Sequence, residues 1–371
     1  RIDCFRLRAP ADVRDIDQAS GLHFGRYDGR EGLWIVCDRN GGASAGRIYY
    51  IRAARLRQAR PGGKIVADEE FRITPPEEGW SAFAARCARL VGRKAIVHLR
   101  ERIEAGRRQQ MGPFLDLEAI TIAPSLVVRG AQALFVVAEE PFSLVLELRV
   151  QPRVGSGPTP ARLVAVYRYH EPEAEQGWAL NDGLEGLAWA GVAGSFYFVE
   201  EGTASHTGDP KPRLMFRAPR LGLAHLSDGL VRPDRASSAA LTEAVRSQRK
   251  GPMQTLNALA RTGDGSLLAV DRNGGWILKI DPRRATARRW LNLYDLDGTD
   301  LRKVLAEFPA PRQMPYISIE GIAVDPDGAI WLVDDPAMPE AFRQSCLVRL
   351  SGLMPAPAGR RSSTSGPALQ R

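Results

Sequence analysis

Short apolar runs of about five to seven residues recur along the chain, rich in β-branched and aromatic residues and broken by turn residues. Five segments share one order: a small or polar residue, Gly or Ala, an apolar strand, a turn, a second apolar strand, then an acid. They run from Ser20 to Asp38, Glu118 to Glu139, Glu185 to Glu200, Asn257 to Asp271 and Glu320 to Asp334. The first and fourth repeat the word Asp-Arg-Asn-Gly-Gly, at 38–42 and 271–275. Each segment reads as a β-hairpin, with turn signals such as Asp325-Pro-Asp-Gly328 and Gly263-Asp-Gly265. Further runs at 47–52, 143–150, 162–169 and 276–280 supply outer strands.

Two hairpins per repeat predict four-stranded sheets set around an axis. The expected fold is all-β: a β-propeller with five blades, or six if one is degenerate, plus a short helical insertion. Repeats start 63–72 residues apart after a longer first interval. An insertion near 76–112 accounts for that excess. There Trp80, Phe83, Cys87, Leu90 and Val91, then Ile96, Leu99 and Ile103, recur at helical spacing. A second helical stretch is expected over 234–249. Ring closure requires the first strand to complete the last sheet, which places Ile2 to Leu7 beside Leu347 to Leu350. One propeller domain therefore spans 1–353. Residues 354–371, mostly Pro, Ala, Ser, Gly and Arg, read as a flexible polar tail.

Composition narrows the partners. In 371 residues, 44% are hydrophobic, enough for a sizeable core. The net charge of +8 comes from arginines spread among acids without long blocks, which argues against a nucleic-acid partner. No apolar run approaches the roughly 18–20 residues of a membrane span. The chain begins at Arg1 rather than Met, which fits a removed leader and a truncated chain alike. Cysteines at 4, 37, 87 and 346 form no metal-ligand spacing. Ring closure would bring Cys4 towards Cys346; a disulfide there and four buried free thiols are both open.

In an antiparallel hairpin, the start of the first strand and the end of the second share one edge. Glu118 is thus expected near Glu139 and Glu140, Glu185 near Glu200 and Glu201, and Glu320 near Asp334 and Asp335. Ser20 with Asp38, and Asn257 with Asp271, complete the circuit. If the first strands line the channel, these groups meet at one mouth. Carboxylates so gathered repel unless neutralised. A hard cation with oxygen ligands, above all Ca²⁺, is the natural partner. Arg39 and Arg272, directly after two of the acids, offer internal neutralisation as an alternative. Strand-end acids that simply cap backbone N–H groups are the other reading.

Gly42-Ala-Ser44-Ala-Gly46 spells G-x-S-x-G without the strand-to-helix setting of a nucleophile elbow. The histidines at 23, 98, 170, 206 and 225 show no metal-binding pairing. No phosphate-binding or dinucleotide loop is present.

The words Asp116-Leu-Glu118-Ala-Ile, Asn181-Asp-Gly-Leu-Glu185-Gly-Leu-Ala and Ile319-Glu320-Gly-Ile-Ala resemble the phytase-like propeller family, often labelled "esterase-like activity of phytase". SdiA-regulated-like and gluconolactonase-like propellers use similar words. The resemblance covers about residues 18–336. It implies a bacterial propeller exported to the periplasm or beyond, with Ca²⁺-assisted hydrolysis of phosphoesters or other esters. Carried over to this chain, the candidate metal ligands are Glu118, Glu185 and Glu320, with Asp38, Asp271 and Asp334 at the second-strand ends, and Arg39 and Arg272 are candidates to bind substrate phosphate oxygens. Two positions depart from the family: Asp334-Asp335-Pro where Asp-Asn is usual, and Ala119 where Gly is usual. Whether the chain is an enzyme is open at this stage. The alternative is a non-catalytic binding or scaffold propeller in an exported assembly, with the helical insertion and tail contacting a protein partner. A sugar-lactonase-like enzyme would use the same acidic mouth.

Overall fold

The computed structural model describes residues 1–12, 14–38, 46–108, 115–139, 143–153, 155–169, 183–201, 204–206, 214–216, 219–248, 255–308, 318–335 and 344–354. Arg39, Glu140, the G-x-S-x-G serine, His170 and nearly all of the tail lie outside them.

The chain opens with β1 (Ile2–Arg8), followed by β2 (Ala19–Tyr27), β3 (Arg30–Cys37), β4 (Arg47–Arg52), α1 (Ala53–Gln58), β5 (Lys64–Val66) and β6 (Glu69–Thr74). Strands β2, β3, β4 and β6 form the first antiparallel unit. Asp28 and Gly29 link β2 to β3 with φ of 49° and 71°, the left-handed pair that a two-residue hairpin turn needs. Helices α2 (Gly79–Val91) and α3 (Arg93–Arg108) come next. The second unit is β7 (Leu117–Pro124), β8 (Gln132–Ala138), β9 (Leu144–Val150) and β10 (Thr159–Tyr169).

The third unit opens with β11 (Leu184–Trp189) and β12 (Ser195–Glu200). A small hairpin, β13 (Ala204–His206) with β14 (Leu214–Phe216), precedes its outer strands β15 (Arg220–Ser227) and β16 (Leu230–Pro233). Helix α4 (Arg235–Arg246) covers β15. The fourth unit is β17 (Leu256–Arg261), β18 (Leu267–Asp271), β19 (Trp276–Asp281) and β20 (Thr286–Asn292), followed by α5 (Leu301–Glu307). In the last unit β21 (Ile319–Val324), β22 (Ile330–Asp334) and β23 (Cys346–Leu350) are completed by β1.

The first strands touch in a closed circle: β2 meets β7, β7 meets β11, β11 meets β17, β17 meets β21, and β21 meets β2. Each has a hydrogen-bonded neighbour on one side only, so its free backbone edge is left towards the channel. The architecture is that of a β-propeller. Closure follows the expected register, with Ile2 opposite Leu350 and Cys4 opposite Val348. It buries Phe5 and Leu7 completely, at about 1.5–3 kcal/mol for each side chain. Cys346 lies opposite Arg6 rather than Cys4, and all four cysteines are buried free thiols.

One feature of the outer rim has no local sequence signal. Strand β10 runs parallel to both β6 and β16, joining the outer edges of the first three units. Strand β5 likewise runs parallel to β1. Edges that would otherwise invite foreign strands are thereby paired. The helical stripe is spent on core contact: Phe83, Val91, Leu99 and Ile103 pack with Trp34, Phe71, Leu146 and Leu163 between the first two units. No described helix is long and apolar enough to cross a membrane.

Candidate functional site

Every first strand breaks register at the same place. Ala19 faces Cys37 and Gly21 faces Val36, leaving Ser20 as an extra residue. The same break sets off Glu118, Glu185, Asn257 and Glu320. A β-bulge unpairs one residue and re-aims its side chain. The residue after the bulge is Gly in three strands because the next first strand passes so close. A Cβ on Gly21 would lie 2.7 Å from the Glu118 carbonyl oxygen, and one on Gly186 would lie 3.0 Å from the Leu259 nitrogen. The Glu-Gly word is thus a bulge residue followed by a strand contact that tolerates almost no side chain.

A second set of residues stands one place beyond each second strand. Asp38 N–H donates to the Gln18 carbonyl (3.0 Å), Glu139 to Asp116 (2.9 Å), Arg272 to Thr255 (3.2 Å) and Asp335 to Ser318 (2.8 Å). Glu201 follows β12 in the same way. These groups act on the bulge acids electrostatically. Burial, then Glu185, Asp116, Glu139 and Asp38, push the Glu118 carboxyl well above its ordinary pKa. Burial, then Glu201, Glu139 and Glu320, do the same to Glu185, with Arg272 opposing. Asp335 is raised by burial and by Asp38, Glu320 and Asp334.

Arg272 neutralises one side of the ring. Its guanidinium bridges Glu201 and Glu320. Burial works against its charge, but Glu320, Glu201 and Glu185 more than offset this and raise its pKa. Ser318 Oγ also donates to Glu320 (3.0 Å), and Gln18 Nε2 to Asp335 (2.6 Å). On the other side, Asp116, Glu118 and Glu139 each offer a carboxylate oxygen, and the three atoms lie within 4.8 Å of one another. On the Arg272 side Asn257, 1% exposed, donates from Nδ2 to the same Glu201 (3.0 Å) while its Oδ1 has no hydrogen-bond partner. A buried amide oxygen without a hydrogen bond is unusual, and an amide oxygen is a donor that hard cations accept. The donor set is all oxygen, which fits a hard divalent ion.

Of the predicted metal ligands, Glu118, Glu185, Glu320 and Asp38 come together at this mouth. Asp271 and Asp334 stand one residue earlier, in the ladder, and accept backbone N–H bonds. Asp271 takes those of Gly274 (2.9 Å) and Thr255 (3.4 Å), and Asp334 that of Ser318 (3.2 Å). Arg272 reaches the mouth as a bridge between carboxylates. Arg39 lies outside the described residues. Asp116 was not anticipated. Its signal is the Asp-Leu-Glu word, which puts a second acid two places before the bulge, where Gln18 and Ser318 stand in other units.

Fold and mouth together define a β-propeller whose channel is acidic at one end. The family model described as "Phytase-like: Esterase-like activity of phytase" matches residues 15–336, and the chain belongs to that family. Solved structures with a similar chain path include a luciferin-regenerating enzyme, at 10% identity, covering 95% of this chain and 95% of that one, with a TM-score of 0.42. Pseudomonas fluorescens PhoX, in complex with the transition state analogue vanadate, is 11% identical over 90% of this chain and 88% of that one, with a TM-score of 0.40. The PQQ-bound aldose sugar dehydrogenase of Streptomyces coelicolor is 10% identical over 94% and 97%, with a TM-score of 0.38. No curated protein matches the chain.

Proposed function

We propose that the acidic mouth holds a divalent cation, Ca²⁺ by its ligand chemistry, and that the protein hydrolyses phosphoesters or related esters there. The observation that carries this reading is the Asp116–Glu118–Glu139 cluster, whose three carboxylate oxygens lie within 4.8 Å of one another. Asp116, Glu118 and Glu139 would hold the ion, with Asp38 and Glu185 next to them. When bound, the ion supplies Lewis-acid polarisation of a phosphoryl or carbonyl oxygen. Arg272, fixed between Glu201 and Glu320, offsets their charge and so lowers the repulsion that a substrate anion meets at the mouth. Burial and the neighbouring acids hold the Glu185 and Asp335 carboxyls towards the protonated form, which lowers the net negative charge of the mouth. An exported site of action accompanies this reading, because weak Ca²⁺ sites fill outside the cell.

Thermal melts with EDTA and after restoring Ca²⁺ test the reading. The melting temperature should rise with Ca²⁺, as it does for any ligand that binds only the folded state. Glu118→Gln should abolish the rise and the turnover of p-nitrophenyl phosphate. No Ca²⁺ shift in the wild type would sink the metal site. A shift without turnover of any ester would leave a Ca²⁺-dependent binding propeller instead.

A further inference from the structure

The channel has a second end, and its chemistry is unlike that of the first. A cavity of about 180 Å³ lies there, lined by all five first strands and by no acidic residue. Three places beyond the bulges stand His23, Thr121, Ala188, Ala260 and Ala323, and all of them line it. Four of these side chains are small, which leaves the space, and the fifth is an imidazole. One place further stand Phe24, Ile122, Trp189, Arg261 and Val324, also lining residues. Four of these are apolar, and the fifth is a guanidinium.

The two nitrogen-bearing side chains of these rows, His23 and Arg261, are uncommitted. Among the described residues, neither the His23 ring nor the Arg261 guanidinium has a hydrogen-bond or ion-pair partner. Burial holds His23 neutral by lowering its pKa to about 4, so it offers one donor and one acceptor without charge. Arg261 is exposed and lies over two turns. A Cβ on Gly191 would come within 3.2 Å of its Nη1, and one on Gly265 within 3.7 Å of its Nη2. Those glycines let the guanidinium rest at the cavity rim.

We propose that this second mouth binds a small organic carboxylate, with the apolar body inside the cavity and the carboxylate on Arg261. Apolar walls with a few placed polar groups are the ordinary make-up of a small-molecule site. A cationic rim with no acid in the lining selects an anion, and Leu22, Phe24, Leu187 and Trp189 favour a ligand that carries a hydrocarbon part. The free backbone edges of the first strands add hydrogen-bonding groups along the walls. The carboxylate enters from this side, where Arg261 stands, because the close strand contacts at Gly21, Gly186 and Gly321 lie between the cavity and the opposite mouth. The site does not depend on the metal reading of the acidic mouth.

Titration calorimetry with sodium benzoate tests the proposal on the full chain. Benzoate should bind at millimolar concentration or below, and neutral benzyl alcohol should bind at least about tenfold more weakly. Arg261→Gln should reduce benzoate binding by a similar factor. Ala260→Leu, checked for folding by its melting curve, should abolish it by filling the cavity. Glu118→Gln and added EDTA should leave it unchanged, which separates this site from the acidic mouth. No benzoate binding to the wild type, equal binding to Arg261→Gln, or equal competition by inorganic phosphate would overturn the proposal.

Discussion

His23 shows how one residue can set a pH response without taking part in chemistry. Its folded pKa of about 4 lies below the ordinary 6.5 because burial penalises the charged ring. As pH falls through that window the unfolded chain takes up a proton that the folded chain refuses. Stability present above pH 6.5 is therefore lost on the way down to pH 4. Between pH 7 and pH 5 the loss should be about 2 kcal/mol. Urea titrations of wild type and His23→Gln at the two pH values check this, since the variant should lack that part of the slope. An equal slope in both proteins would mean that the imidazole is hydrated in the folded state.

At the scale of the strand, the bulge and the residue after it form one device. Gly186→Ala should destabilise the fold by about 1–3 kcal/mol, because the new Cβ meets Val199 at 2.5 Å and Leu259 at 3.0 Å. Ala119 occupies the equivalent place in the second unit, and Ala119→Gly there should cost about 1 kcal/mol or less. Denaturant midpoints of the two variants give the comparison, and equal losses would refute the close-approach argument. This device explains why part of the site was legible. Glu118, Glu185 and Glu320 were readable because each sits in a word dictated by strand contact. Asp116 and the unpaired Asn257 oxygen were not, since their importance arises only when neighbouring units meet. Asp271 and Asp334 were read as mouth groups because a repeat word cannot distinguish the last ladder residue from the one after it. A difference of one residue along the strand decides between capping a loop and facing the mouth.

The whole molecule is held as a ring by its first strand. The hairpins and the pairing of β1 with β23 followed from the repeat, since each unit is built from local contacts and consecutive strands. The parallel joins of β6, β10 and β16 did not, because they pair segments far apart in sequence through rim strands of no special pattern. Removing residues 1–8 should lower the melting temperature sharply and promote association. It would uncover the edge of β23 and the pocket filled by Phe5 and Leu7. Sedimentation and a melting curve of the shortened chain test this; an unchanged monomer with an unchanged midpoint would show that closure contributes little.

That interlock also settles where attachments can go. The Arg1 nitrogen donates to the Ser351 carbonyl at 3.1 Å and the Ser351 N–H to the Arg1 carbonyl at 3.0 Å, so these two residues stand side by side on a single sheet. Joining them with a short linker and opening the chain in a turn between units would preserve each strand pairing. The ring has, in this sense, a seam but no obligatory beginning.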